Sequence, residues 1–210
     1  LTAKRLFKSM IPILYPVIIP SNNYLLRNSS NSPVESDSQM DIWTPDGLES
    51  FPMLGRNNTG GDVRTFWAGN VPSGKVFTHP GLSNTYSGIG WQSPISGIVN
   101  IGVTMNTYQG GGNGILYVIH KQSNNTSTIL ESNILNASSS HTTSINENVL
   151  EGDLISLRIH INGSYIKDST IINIIITTDT DEWNLEQEFS SDPNSNPTIV
   201  AGKNIWHYYY

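Results

Sequence analysis

From residue 98 onward the chain alternates with a period of two. In IVNIGVTM, Val99, Ile101, Val103 and Met105 fall on one face, and Asn100, Gly102 and Thr104 on the other. GILYVIHK follows a glycine loop (110 to 114) and predicts a second strand; TILESNIL predicts a third. A Ser/Thr loop is expected at 137 to 144. In NVLEGDLISLRIHI the residues Glu151-Gly152-Asp153 form a turn, and Ile155, Leu157, Ile159 and Ile161 share a face. Asn162-Gly163 is the strongest short hairpin signal. STIINIIITT, apolar on both faces, predicts a central strand. No segment sustains a helical period. This pattern excludes a helical bundle and predicts an all-β chain, an antiparallel β-sandwich of jelly-roll type.

The rest of the chain divides around that core. Residues 1 to 39 are an apolar arm followed by a polar linker, 40 to 178 the sandwich, and 179 to 210 an acidic loop and a last strand packing on the sandwich or on a neighbour. KRLFKSMIPILYPVIIP resembles a signal peptide in its basic start and apolar middle. Pro12, Pro16 and Pro20 break any helix there, and no small-residue cleavage site follows. The first residue, Leu1, points to a processed or truncated chain. The arm is expected to be extended and to lie on its own domain or on another subunit, with Ile11, Ile13, Leu14 and Tyr15 as contacts. Three terminal tyrosines, Tyr208, Tyr209 and Tyr210, cannot all face one core, so they join the arm as candidate oligomer contacts. A helical turn is expected within Trp183 to Phe189.

Composition removes several functions. The net charge is −6, and only Lys4, Arg5 and Lys8 cluster, so nucleic acid is not an expected partner. There is no cysteine, which excludes disulfides, thiolate metal sites and a Cys nucleophile. None of His79, His120, His141, His160 and His207 falls in a helical metal motif. His120 and His160 lie on the polar side of strands and would share a metal only if those strands were neighbours. Solvated or hydrogen-bonded strand positions are the expectation for them, and for His79 a turn-stabilising bond. GGGNG precedes a strand rather than a helix, so it is a flexible inter-strand loop and not a phosphate cradle. No G-x-S-x-G elbow occurs. The acidic stretch 179 to 188 is a solvated loop rather than a glycosidase pair. No cofactor is expected; Asp192-x-Asn194-x-Asn196 suggests calcium ligands but lacks the glycine of an EF-hand loop.

One ordered set of signals remains: His79-Pro80-Gly81, Tyr86-Ser87, Trp91-x-x-Pro94-x-x-Gly97, GGGNG, Gly152-Asp153, and Lys167-Asp168-Ser169-Thr170. It resembles a jelly-roll-type β-sandwich accessory module of secreted and surface bacterial proteins, similar in architecture to carbohydrate-binding modules, over about residues 77 to 177. The resemblance implies no catalytic residues. Within it Trp91 is expected to plug the core rather than to stack on a sugar, and Asp153 to cap its own turn.

The expected function is a non-enzymatic, extracellular structural or recognition protein: a subunit of a virion, phage or cell-surface assembly that contacts copies of itself and surface glycans. The alternative is a stand-alone carbohydrate-binding module of a secreted enzyme. Candidate glycan residues are Trp67, Tyr86 and Tyr108, as rings for stacking, and Asn84 for hydroxyls. N-x-S/T sequons begin at Asn57, Asn124, Asn125, Asn136 and Asn162, among others.

Overall fold

The computed structural model describes residues 25–28, 40–44, 51–65, 69–82, 85–124, 126–190 and 196–209. They form two stacked antiparallel sheets. The first sheet runs β1 (Leu25–Asn28), β2 (Met40–Thr44), β3 (Met53–Asn57), β6 (Val76–His79), β13 (Thr170–Thr177), β8 (Gly97–Asn106) and β11 (Ser140–Val149), with β14 (Glu182–Asn184) paired to β13. The second runs β10 (Thr126–Leu135), β9 (Ile115–Ser123), β12 (Leu154–Ile161), β7 (Ser87–Gln92), β16 (Lys203–Tyr209) and β15 (Thr198–Val200). A small ribbon pairs β4 (Val63–Thr65) with β5 (Gly69–Val71). From β6 to β8, and again from β11 to β13, the chain crosses between sheets at each step, which is the jelly-roll wind. One helical turn, α1 (Leu185–Glu188), follows β14, with Asn184 as its N-cap.

The period-2 residues of the sequence meet in one interior. Val99, Ile101, Val103 and Met105 of β8 face Ile115, Tyr117 and Ile119 of β9 and Ile155, Leu157 and Ile159 of β12 in a single buried cluster. Trp91 lies in the middle of it, fully buried, opposite Trp206 across the β7–β16 pairing and 5.2 Å from the ring of Trp183. The stretch around Trp91 is therefore strand and core, not a chemical site. Removing such a ring from water is worth roughly 4–6 kcal/mol before entropy is charged.

Three expectations change. Asn162-Gly163 does not make a hairpin: β12 pairs with β9 and β7, and the chain after Gly163 crosses to the other sheet as β13. The Asn162 amide instead donates to the Asn113 carbonyl at 3.0 Å, while the Asn113 amide donates to the Asn162 carbonyl. The glycine loop is packed rather than flexible. A Cβ on Gly112 would sit 2.6 Å from the Lys167 carbonyl oxygen, and one on Gly114 2.2 Å from that of Leu135. The Ser/Thr segment expected as a loop includes the start of β11, an edge strand whose side chains alternate between exposed and half-buried, so no apolar stripe announced it.

Tyr208 and Tyr209 are buried as well, 1% and 2% exposed, so neither is available as an oligomer contact. Tyr208 faces the interior, 5.2 Å from Trp43 and 5.0 Å from Phe189. Tyr209 points to the opposite face, where it lies flat over Gly88 of β7. Adjacent residues of a strand can both be buried when a glycine on the neighbouring strand leaves room for the outer ring. Ile11, Ile13, Leu14, Tyr15 and Tyr210 fall outside the described residues.

Candidate functional site: a polar groove at the end of the first sheet

The turn after β7 and the turn between β13 and β14 stand side by side and enclose a cavity of about 720 Å³. Its walls are Ile95, Ser96, Gly97 and Ile98 on one side and Thr177 to Asp181 on the other; Asn100 of β8 and Asn146 of β11 form its floor. The floor is set by strand register, since Asn100 pairs with Asn146. The Asn100 amide donates to Ser144 Oγ at 2.8 Å and to Asn146 Oδ1 at 2.9 Å, which fixes the orientation of both amides. The far wall is a self-capped turn. Thr178 Oγ1 accepts from the backbone N–H of Thr180 (3.2 Å) and Asp181 (2.9 Å), and Thr180 donates its hydroxyl to Asp181 Oδ2 at 2.8 Å. Ile98 adds an apolar surface, 72% exposed.

Chemically the groove offers amides, hydroxyls and two carboxylates, Asp179 and Asp181, around the aliphatic side chains of Ile95 and Ile98. That set suits a ligand rich in hydroxyls with a partly apolar face. It holds no histidine, cysteine or lysine to act as base or nucleophile. Sequence reading put 179 to 188 down as a solvated acidic loop. The Thr/Asp run TTDTD, next to a strand of alternating Asn, was the available signal for these walls.

Of the rings expected to bind glycans, Tyr86 and Tyr108 do not line this groove. Tyr108 is half-buried against the second apolar cluster of Ile42, Met53, Val63, Val71 and Phe77. Burial pushes its hydroxyl well above the usual phenol range, and a bond with Ser169 only partly offsets this. Tyr108 is thus a packing residue rather than a platform. Tyr86 is half-buried on the outer face of the second sheet. Trp67 and Asn84 lie outside the described residues, as do Asp192 and Asn194 of the calcium expectation. Among the described residues, no three or more His, Asp or Glu group together to hold a metal.

Three other polar features resolve into structural roles. Tyr117 and His141 both donate to Glu131 Oε1, at 2.6 and 2.7 Å. Burial pushes Glu131 upward, but the bonds from Thr143, Tyr117 and His141 outweigh it and hold the carboxyl below its ordinary range. A carboxylate that stays ionised and already accepts from its neighbours is a clasp between β9, β10 and β11, not a general acid. Asp168 is buried and accepts from Gly114 N at 3.2 Å; burial raises it to about 6, against the pull of the Gly114 and Asn113 backbone bonds. It anchors the glycine loop. Asp153 accepts from Leu150 N at 3.0 Å through its side chain, capping its own turn. Among the sequons, Asn57 is buried and its amide is committed to the Gly61 and Val71 carbonyls, so it is closed to modification.

His79 is 2% exposed and its Nδ1 donates to the Pro80 carbonyl at 2.8 Å, the turn bond expected of it. His120 and His160 do lie on neighbouring strands, β9 and β12. The register sets His120 opposite Ser156 and His160 opposite Leu116, four residues along, or about 13 Å. They cannot share a metal. His120 is neither solvated nor hydrogen-bonded: it is 3% exposed and both ring nitrogens lack a partner.

No family model matches the chain, and no curated protein matches it. Among solved structures, the crystal structure of murine APRIL at pH 8.5 is 15% identical, covering 72% of this chain and 95% of that one, with a TM-score of 0.25. A likeness of that size leaves the fold to rest on the strand pairings described above.

Proposed function

We propose that this chain is a non-catalytic recognition subunit of an extracellular surface assembly, which holds glycans in the groove between the β7–β8 and β13–β14 turns. The observation that supports this is the lining of the groove: Asn100, Asn146, Asp179 and Asp181 present amides and carboxylates at fixed positions beside the exposed Ile98. A sugar ring needs that combination, because each hydroxyl lost from water must be re-bonded while its C–H face is covered. Asp181 accepts the Thr178 and Thr180 hydroxyls as part of its own turn, a structural use that favours holding over turnover.

The test is a glycan array followed by calorimetry on the best neutral binder. Asn146→Ala and Asp179→Asn should each weaken binding about 5- to 50-fold, as loss of one or two hydrogen bonds predicts. Both side chains lie on the surface of the groove, so the melting temperature should hold within about 2 °C. An array with no binder, or a binder indifferent to both changes, rejects the reading. The assembly half is tested by size-exclusion of the full chain against one lacking residues 1 to 30: loss of the oligomer on truncation supports it, and an unchanged profile rejects it.

A further inference from the structure

The outer face of the second sheet follows a different chemistry from the groove. Register places His120, Ser156, Gly90 and His207 in one row across β9, β12, β7 and β16. The next row is Val118, Arg158, Gly88 and Tyr209. His160 lies one row further, 5.2 Å from the ring of Tyr86. The Arg158 guanidinium sits over the Tyr86 ring, 4.8 Å from its centroid, and 6.0 Å from that of Tyr209.

Among the described residues Arg158 has no counter-charge. Its Nε is buried without a hydrogen bond. The side chains nearest it on that face include Val118, Ser156, His160, Tyr86 and Tyr209, none of them a carboxylate. This occurs in a chain with 17 acidic residues and 11 basic ones. The charge is felt locally, since it adds to the burial that lowers both His120 and His160. Beneath it, both ring nitrogens of buried His120 lack a hydrogen bond, and the Tyr209 hydroxyl has only loose contacts with Ser156 and Arg158 themselves, which leave the cation unneutralised. Buried polar groups are normally satisfied, so the unbonded Arg158 Nε beside the unbonded His120 ring, on a cation with no ion pair among the described residues, marks a place built for a further, anionic partner.

We propose that Arg158, with Tyr86 beside it, binds a carboxylate carried on a sugar ring. The planar fork of an arginine accepts a carboxylate through two parallel N–H bonds, and a half-buried tyrosine supplies the flat surface that the sugar's C–H face needs. The inference takes its ligand class from the glycan reading above, but it uses a different sheet and different residues.

The full chain is titrated at pH 7 with glucuronate, glucose and acetate, followed by calorimetry and tyrosine fluorescence. Glucuronate should bind at least 10-fold more tightly than either glucose or acetate. Arg158→Gln should abolish that preference; Arg158→Lys, which keeps the charge but loses the fork, should reduce it several-fold. Thr104→Ala, exposed on the first sheet and outside both proposed sites, should leave it unchanged. If Arg158→Gln does not fold, the Lys variant decides alone, and an undiminished preference there rejects the site. Equal binding of glucose and glucuronate rejects the site while the groove reading survives. Acetate equal to glucuronate, with the same dependence on Arg158, rejects the sugar part of the proposal. No binding by any ligand, with an empty array, rejects both.

Discussion

The outer faces of the two sheets carry similar side chains and treat them in opposite ways. On the first sheet, Asn100 and Thr104 of β8 and Ser144 and Asn146 of β11 stand toward water, and the amides and hydroxyls bond one another across the strands. On the second, the equivalent outward positions are buried: Ser156 is 0% exposed, His120 3%, and His207 9%. Part of the cause is the pair of glycines on β7. A Cβ on Gly88 would meet the Tyr209 ring at 2.4 Å, and one on Gly90 would meet the Leu154 side chain at 2.8 Å. Both neighbours fold down into the space the glycines leave. An alternating sequence therefore assigns a residue to a face, while the gaps on the neighbouring strand decide whether that face is wet.

The largest expected effect of this difference is acid sensitivity. Burial lowers His160 and His207 to about 4 and His120 to about 3, and His79 elsewhere in the fold to about 4. For His120 and His160 the charge of Arg158 adds to burial. All these folded values lie below the 6.5 of an exposed histidine, so the fold prefers the neutral rings. Their contribution is complete above about pH 6.5 and is lost as the pH falls from there toward 4. At pH 5 each ring forfeits roughly 2 kcal/mol, so the set removes several kcal/mol from a total of about 5–15. Urea titrations at pH 7.5 and pH 5 should show a large fall in midpoint. His120→Leu should regain stability at pH 5 relative to pH 7.5 by about 2 kcal/mol. A variant that shifts both pH values equally would mean that His120 does not titrate in this window.

A smaller, local effect separates the two faces by volume alone. Gly88→Ala drives a methyl into the Tyr209 ring and should cost about 1–3 kcal/mol, a fall in melting temperature of roughly 2–12 °C. In a Tyr209→Leu background the same change should cost less, because the ring it strikes has gone. Equal costs in the two backgrounds would show that Tyr209 does not fill the space over Gly88.

Much of the fold was legible from the sequence. Strands β8 and β12 were marked by their alternation, β9 and β10 by short runs beside turn signals and β13 by a run apolar on both faces, and Trp91 was assigned to the core by its place between a turn and a strand. The illegible parts share a physical cause. β11 has Ile145 and Val149 as its apolar residues and lies at a sheet edge, where exposure leaves little hydrophobic pattern. Asn162-Gly163 favours a tight turn whether the chain returns to the same sheet or crosses to the other. Tyr208 and Tyr209 were expected to exceed one core because the glycine that accommodates Tyr209 lies 121 residues earlier (209 − 88), on another strand. The groove was missed since its Thr/Asp wall and its Asn floor come together only through the crossing from β13 back beside β8.

The smallest effect is the sharpest control on the contrast between the faces. Gly102 of β8 points outward on the first sheet as Gly88 does on the second, and it pairs with Ser144 and Ile175. The nearest atom to a Cβ built there is the Ile175 carbonyl oxygen at 3.5 Å, an ordinary contact. Its backbone shows no positive φ. Gly102→Ala should therefore gain about 0.4–1 kcal/mol, chiefly by restricting the unfolded chain, and raise the melting temperature by roughly 1–4 °C. The same chemical change thus carries opposite signs on two outward-facing strand glycines. A loss at Gly102 as large as that at Gly88 would mean that both outer faces are closed, and that water does not reach the first sheet as its polar side chains require.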